Sequence, residues 1–353
     1  MSSERTLQRK RRKQIEKELK EVFAQPEIVD LMNKARATLA GAGAGLSEEV
    51  TQTSPPPPPS SVGSGGGRGG VRGTSTEKGK KGKEKGFCDV LVKLGGAAVT
   101  NKSELETLDE DTLSSVIRQI AAVHRSRRLV VVHGAGSFGH FQAKEFGVQG
   151  GSLEDPRVVR GFAETRASVT KLNTKIVDAL VREKVNAVGL SPCAFWDSRG
   201  CSAASVEIIR GLVGRGFVPV LHGDAIACGD RSVILSGDKI VADLAEVLRP
   251  KVVLFLSNVN GIYNKPPSCE GAILIPRIEV VPNGWSCVGI EFESAAHDTT
   301  GGMRGKVEEA AAIALGGVDV VVARAGSEAA LVALRGKGDL EDGTLVTSMR
   351  PRR

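Results

Sequence analysis

Aromatic side chains are scarce in this 353-residue chain: ten Phe, two Trp and a single Tyr, 4% of the total. With 43 Gly beside that one Tyr, the composition fits a loop-rich α/β enzyme better than a β-sandwich. Long apolar runs are absent too. No stretch of 18 apolar residues occurs, so no membrane span is expected. The first residues lack an apolar h-region, so no secretory signal is expected either. The six cysteines, Cys88, Cys193, Cys201, Cys228, Cys269 and Cys287, show no CxxC or His-linked spacing. That argues against a zinc site and for free thiols in a reducing, cytoplasmic setting.

An excess of either charge is missing from most of the chain. Of 48 Lys/Arg and 41 Asp/Glu, 17 and 10 fall in residues 1–86, which leaves 31 of each sign over residues 87–353. The formal net charge of +7 therefore belongs to the N-terminal part, and the remainder is balanced. Within residues 1–40, Ile15, Leu19, Val22 and Phe23 recur at helical spacing beside the basic block Arg9–Lys13, which reads as a basic amphipathic helical extension. Its glutamates and Asp30 contradict a transit peptide, which is poor in acids. Residues 41–86 contain Pro55–Pro59, a Gly/Ser/Arg tract and Lys78–Lys83. Such a segment cannot bury enough apolar surface to order itself and reads as a linker. The folded domain is expected over 87–353.

What is present there is an alternation of two periodicities. Strand signals occur at Cys88–Leu94, Leu129–His133, Ala187–Leu190, Phe217–Leu221, Val252–Ser257 and Val318–Ala323. Helical patterns lie between them at 109–125, 158–184, 205–214, 238–248 and 303–315. Strands alternating with helices mean a mostly parallel sheet covered on both faces, a three-layer α/β/α sandwich.

The stretch that organises the chain is Val130–His140. Three β-branched residues form a buried strand that runs directly into Gly134, Gly136 and Gly139, with Ser137 between them. Glycines after a strand let backbone N–H groups approach a phosphate, and the helix that follows adds its positive end. Alone, such a loop reads equally well as a tight turn. His140 stands where the loop becomes a helix and could hydrogen-bond whatever the loop holds. Phosphoryl transfer needs positive charge along the moving group and backbone donors at both ends. Three lysines offer that charge. Lys93 abuts Gly95-Gly96, Lys102 lies just past that loop, and Lys306 follows the glycine-rich turn Thr299–Gly305. Taken singly, each lysine reads as a solvated surface charge. Two bracketing one Gly-Gly loop, with a third on another glycine loop, read as a phosphate clamp.

These same residues carry a resemblance. Lys93-Leu-Gly-Gly with Thr100 and Lys102, His133-Gly-Ala-Gly-Ser-Phe-Gly-His140, Ser236-Gly-Asp238 and Thr300-Gly-Gly-Met-Arg-Gly-Lys306 resemble the amino acid kinase superfamily. Within it, they are similar to the isopentenyl phosphate kinases. The resemblance spans 87–350, and its specific part is the histidine that ends Gly-Ser-Phe-Gly-His.

It implies ATP-dependent phosphorylation of isopentenyl phosphate to the diphosphate, an isoprenoid step, with Mg²⁺ and a homodimer paired through a helix. Lys93 and Lys306 would hold ATP phosphates, with Gly95, Gly96, Ala97, Gly136 and Gly302 giving close backbone approach. Lys102 would neutralise the transferring phosphoryl group. The acceptor phosphate would lie on the backbone of Ala135 and Gly237 and on His140. Asp238 would orient the lysines or the metal, while Asn258, Gly261 and Tyr263 would flank the adenine. No residues are expected to form a dedicated metal cluster.

The chain departs from the family pattern at Ala97, where serine is common, and at Asn258 and Asn260, where acids are common. Phe141, Phe146 and Val148, with Phe162, Val169 and Ile176, are candidate linings for a hydrocarbon tail. Two other readings stay open at this point. One is a kinase of another small phosphate or phosphonate, such as a fosfomycin-type enzyme. The other is a non-catalytic nucleotide sensor.

Overall fold

The computed structural model describes residues 86–197, 200–281, 284–286, 302–336 and 340–348, with 284–286 and 302–306 as backbone only. The expected helical extension and all but the last residue of the expected linker lie outside the described residues, as do Cys287 and the lead-in Thr299–Gly301. The chain divides between Glu84 and Lys85, and all that follows concerns the second unit.

Strand β1 (Val90–Leu94) and strand β2 (Leu129–His133) are the apolar runs expected to be buried on both faces, and they pair in parallel. Between them lie the short helix α1 (Gly96–Val99) and helix α2 (Glu110–Val123). Asp109 caps α2 by accepting the Thr112 N–H at 3.0 Å, and two acids in the first turn favour the helix dipole. Helix α3 (His140–Glu145) follows the glycine loop after β2. The long helix α4 (Pro156–Arg182) starts from an Asp155 cap with proline in its first turn.

Next come β3 (Ala187–Leu190), the small hairpin β4 (Trp196–Asp197) and β5 (Gly200–Cys201), helix α5 (Ala203–Gly214) and β6 (Val218–His222). A second hairpin, β7 (Asp224–Cys228) and β8 (Arg231–Leu235), leads to helix α6 (Gly237–Leu248), capped by Ser236. The last elements are β9 (Val252–Ser257), β10 (Arg277–Val281), β11 (Gly284–Ser286), helix α7 (Gly302–Leu315), β12 (Asp319–Arg324), helix α8 (Glu328–Leu334) and β13 (Thr344–Ser348).

Nine strands make the main sheet, in the order β11-β10-β13-β12-β9-β1-β2-β6-β3. Six of its pairings are parallel, and the two antiparallel ones lie toward the β11 end, so the sheet is mostly parallel as expected. Side chains alternate between two cores, one on each face. Val90, Val92 and Leu94 join Leu129, Val131, Leu254 and Leu256 beneath α2, α4 and α8. Leu91, Val130, Val132, Val253 and Phe255 pack against α5, α6 and α7 on the other side. Each such fully buried side chain contributes about 1.5–3 kcal/mol by leaving water, which makes these central strands the rigid base of the site.

Asp89 anchors the lower end of that base. Its carboxylate accepts from the Arg128 N–H at 3.0 Å and the Arg128 Nε at 3.2 Å, and pairs with Lys251 Nζ at 2.8 Å. Those residues precede β2 and β9, so one side chain ties the starts of three adjacent strands. Burial pushes this carboxyl up, but the hydrogen bonds from Arg128 and Lys251 outweigh it and hold it well below the usual carboxylate range.

The β7–β8 hairpin, β10 and β13 were not among the expected strands. The hairpin stands apart from the main sheet and pairs instead with residues 150–153, through Gly150 N to Ser232 O at 2.8 Å and Ser232 N to Gly151 O at 2.9 Å.

Candidate active site

The chain winds from β1 through β2 toward β6 and β3, then returns to place β9 on the other flank of β1. The crevice at the carboxyl ends of β1 and β9 is thus the topological switch point, where open α/β sheets bind ligands. A cleft of about 270 Å³ lies there, lined by Lys93, Gly95–Ala98, Lys102, Gly134–Gly136, Gly139, His140, Gly223, Asp224, Ser236–Asp238, Asn258 and Glu309. That is the scale of a small-molecule site.

Two glycine loops meet in it backbone to backbone. A Cβ built on Gly96 would sit 2.6 Å from the Gly136 nitrogen, and Gly136 itself has φ +54, with a built Cβ 2.2 Å from Thr100 Oγ1. Any side chain at either position would force the loops apart. A third segment completes the cradle. The Gly223 backbone approaches the Gly237 and Ala135 nitrogens, Gly237 in turn approaches Gly134, and α6 begins at Gly237, so its first N–H groups open onto the cleft. Backbone donors from three loops converge on one place, which is the chemistry of an oxyanion or phosphate cradle.

Positive charge stands around it. Lys93 Nζ lies 2.5 Å from Asp238 Oδ1 and 5.7 Å from the Phe255 ring centroid. That carboxylate oxygen has no hydrogen-bond partner of good angle, so charge rather than direction holds the pair. Lys102 faces the same cleft close to His140. His140 opens α3 at the solvent edge. Its contact with the cleft wall, and the Lys102 charge beside it, hold its imidazole below the ordinary histidine range. Neutral, it offers one donor and one acceptor nitrogen. Gly302 and Lys306 lie on the backbone of α7, whose Glu309 lines the cleft one turn later, while the Lys306 side chain is outside the described residues.

Two buried histidines also support the cradle, and neither figures among the expected site residues. His133 and His222 end the paired strands β2 and β6 in register, their rings 5.7 Å apart. The Nδ1 of each lies 3.0 Å from the carbonyl of the glycine that follows, Gly134 and Gly223 respectively. His133 Nε2 meets the Asn173 amide Nδ2 at 3.1 Å and must accept from it, so Nδ1 carries the proton and donates to Gly134. Complete burial pushes the His133 imidazole down to about 3, which keeps it neutral. The signal was there to be seen: two His-Gly dipeptides, each closing an apolar strand. Beside them Asp224 is buried yet fully engaged, accepting from Arg166 Nε at 3.1 Å, Ser191 Oγ at 2.9 Å and the Cys193 and Ala225 N–H groups.

Some expected positions fall elsewhere. Gly261 packs on Thr344, and Tyr263 bridges to Leu274, so neither lines the cleft. Of the six candidate tail residues, Val169 alone lines it. Ile176 is core beneath the sheet, Val148 and Phe146 pack on Gly161, and Phe141 is 40% exposed. The apolar end of the cleft is made by Ala143, Thr165, Val169, Ile234 and Leu235 instead. The error is one of helix face: Leu172, Ile176 and Leu180 share the α4 stripe that covers the sheet, and Thr165 and Val169 lie a turn earlier where the helix passes the cleft. Among the described residues no group of three or more His, Cys, Asp or Glu is placed to hold a metal ion.

A parallel α/β sheet with a backbone phosphate cradle and flanking lysines at its switch point defines a phosphotransferase of the amino acid kinase class, and the model of the amino acid kinase family matches residues 90–324. The chain is 40% identical over 304 residues to the isopentenyl phosphate kinase of Arabidopsis thaliana, covering 71% of this chain and 91% of that one. It is 34% identical over 241 residues to the isopentenyl phosphate kinase of Methanothermobacter thermautotrophicus, covering 65% and 88%. A solved structure of isopentenyl phosphate kinase superposes with a TM-score of 0.60 at 31% identity, over 73% of this chain and 99% of that one. The chain belongs to the amino acid kinase family and, within it, to the isopentenyl phosphate kinases.

Proposed function

We propose that this chain transfers the γ-phosphoryl group of ATP to isopentenyl phosphate, giving isopentenyl diphosphate and ADP. The observation that carries the reading is the cradle of Gly134–Gly136, Gly223 and Gly237 backbone, with His140 and Lys102 on its wall. A phosphate monoester with a second pKa of about 6 is already largely a dianion at neutral pH, so its oxygen needs no general base. The residues then have three tasks. The N–H groups of Ala135 and Gly237, with His140, hold the acceptor phosphate in line, while those of Gly134 and Gly223 donate to Leu94 O and His133 O and brace the cradle. Lys93, steadied by Asp238, and Lys306 bind the donor's phosphates. Lys102 faces the charge that spreads over the phosphoryl group in transit.

ATP supplies the phosphoryl group, and its use implies Mg²⁺. Asp238 is a carboxylate in the cleft available to such an ion, with Glu309 of α7 also on its wall, whereas Asp224 is saturated by four donors. Phosphate oxygens and water would complete the shell.

The same reading places the enzyme in the cytoplasm as a homodimer. Its likeness to a family that pairs through a helix supports the dimer, and light scattering is the check. Among the described residues no helix is long and apolar enough to cross a membrane.

The test is ADP release, with product identified by mass, from Mg·ATP and a panel of isopentenyl phosphate, dimethylallyl phosphate, longer prenyl phosphates, fosfomycin and N-acetylglutamate. Turnover on isopentenyl phosphate above the rest is expected. Turnover on fosfomycin or N-acetylglutamate alone, or bound ATP with no turnover on any acceptor, would sink the reading.

A further inference from the structure

The loop that carries Lys102 is fastened at its base and, through a side chain, to α4, and we propose that Glu106 is the positioning residue that holds Lys102 over the transferring phosphoryl group. The proposal rests on the role given to Lys102 above. At the base, Asn101 N donates to Thr107 O at 2.9 Å and Asp109 N to Val99 O at 3.0 Å, closing residues 101–107 into a compact loop. Ser137 of the second glycine loop sits against it. Glu106 N donates to Ser137 O at 3.1 Å, Thr107 N donates to Ser137 Oγ at 3.2 Å, and that hydroxyl donates to Thr107 O at 3.1 Å. Ser137 N in turn donates to Thr100 Oγ1 at 3.0 Å, which donates to Gly96 O at 2.8 Å. The loop is thereby continuous with both halves of the phosphate cradle.

The tie to α4 is of a different kind. Glu106 has φ +52, a left-handed backbone that residues bearing a Cβ rarely adopt and glycine adopts freely. Its carboxylate supplies what keeps it there. One oxygen accepts from Ser168 Oγ at 2.7 Å, and the other pairs with Lys171 Nζ. Both partners lie on α4, one turn apart. The carboxylate is 25% exposed, and its bonds to Lys171 and Ser168 outweigh burial to keep it charged at neutral pH. Ser168 is flanked on α4 by Thr165 and Val169, which line the apolar end of the cleft. Glu106 therefore fixes the Lys102 loop to the wall against which the acceptor's hydrocarbon end would rest. Removing the carboxylate cuts the tie between this loop and α4 while leaving the backbone bonds of Asn101, Glu106 and Thr107 in place, so Lys102 would lose its aim and keep its charge.

The experiment compares turnover of isopentenyl phosphate with Mg·ATP by the full chain and by Glu106→Ala, Glu106→Gly, Lys102→Ala and the Lys102→Ala/Glu106→Ala pair. Glu106→Ala should lower kcat about tenfold with KM for ATP within about twofold, the mark of a lost transition-state contact. Glu106→Gly should melt no lower than wild type, because glycine suits the left-handed backbone, and still be as slow as the alanine variant. On the Lys102→Ala background, Glu106→Ala should add less than about twofold, because it acts through a charge already gone. Wild-type turnover by Glu106→Gly, or the full tenfold loss in the double variant, would overturn the proposal. A wild-type chain active on another phosphate alone would overturn the reaction reading, and the same variants compared on that acceptor would still decide the role of Glu106. Silence of the wild type on every phosphate would overturn both.

Discussion

Five histidines are spread along the sequence, and three of them, His133, His140 and His222, converge on one end of the sheet. His133 and His222 hold glycine carbonyls from below, and His140 faces the cleft from above the loop. Their surroundings should separate them in a titration. In histidine-selective NMR spectra, His133 should show no titration above pH 4, since burial keeps it neutral down to about 3. His140 should titrate below the ordinary value of 6.5 in the free protein and move upward when an acceptor phosphate dianion binds beside it. A His140 midpoint unmoved by isopentenyl phosphate would remove it from the acceptor site. By mutation, His140→Ala should raise KM for isopentenyl phosphate roughly 10–100-fold, the range for a hydrogen bond to a charged group. KM for ATP should stay within about twofold. A comparable loss of ATP affinity would contradict the assignment.

At the scale of elements, the contact between the two glycine loops is the feature most sensitive to change. Gly96→Ala places a methyl group 2.6 Å from the Gly136 nitrogen, and backbone cannot rotate away as a side chain does. The variant should retain the wild-type circular dichroism and lose at least about 100-fold in kcat/KM for both substrates, because donor and acceptor cradles move apart together.

These loops were legible in the sequence because close backbone approach leaves a visible mark, glycine, directly after a β-branched run. The central strands β2 and β9 and the edge strand β3 were legible to the residue because each is a continuous apolar run. The β7–β8 hairpin was not, because its partner is the excursion at 150–153 rather than the sheet, and nothing local to Asp224–Leu235 announces that partner. Strands β10 and β13 bury only alternate residues, so neither shows the continuous apolar run of the central strands. Each His–Gly contact is local and visible as a dipeptide, but the meeting of the two histidines depends on β2 and β6 lying side by side, and the Asp224 network depends on α4 and Ser191–Cys193 reaching β7, facts of topology that no single stretch contains. Glu106 was hidden for a related reason: its left-handed backbone is fixed by residues on α4, not by its neighbours in sequence.

For the molecule as a whole, His133 and Asp89 are two of the buried groups that shape the response to acid. His133 stays neutral to about 3 when folded, whereas an unfolded histidine takes up a proton near 6.5, so stability should fall as pH drops through that window. Asp89, depressed by Arg128 and Lys251, stabilises the fold above the ordinary carboxylate range and loses that contribution as pH falls below it. Urea midpoints should therefore decline steadily from pH 7.5 to 4. Asp89→Asn should lower the midpoint at pH 7.5 and flatten the decline below about pH 4. A midpoint that rises on acidification would contradict both assignments. One earlier feature bears on how such an enzyme can change over generations. In the proposed reading the acceptor phosphate is met chiefly by main chain, which every residue carries alike, while the far end of the cleft is lined by the side chains of Ala143, Thr165, Val169, Ile234 and Leu235. Substitutions at those five positions can reshape which hydrocarbon is accepted without touching the atoms that grip the phosphate, so the catalytic step is inherited intact while the choice of acceptor is free to drift.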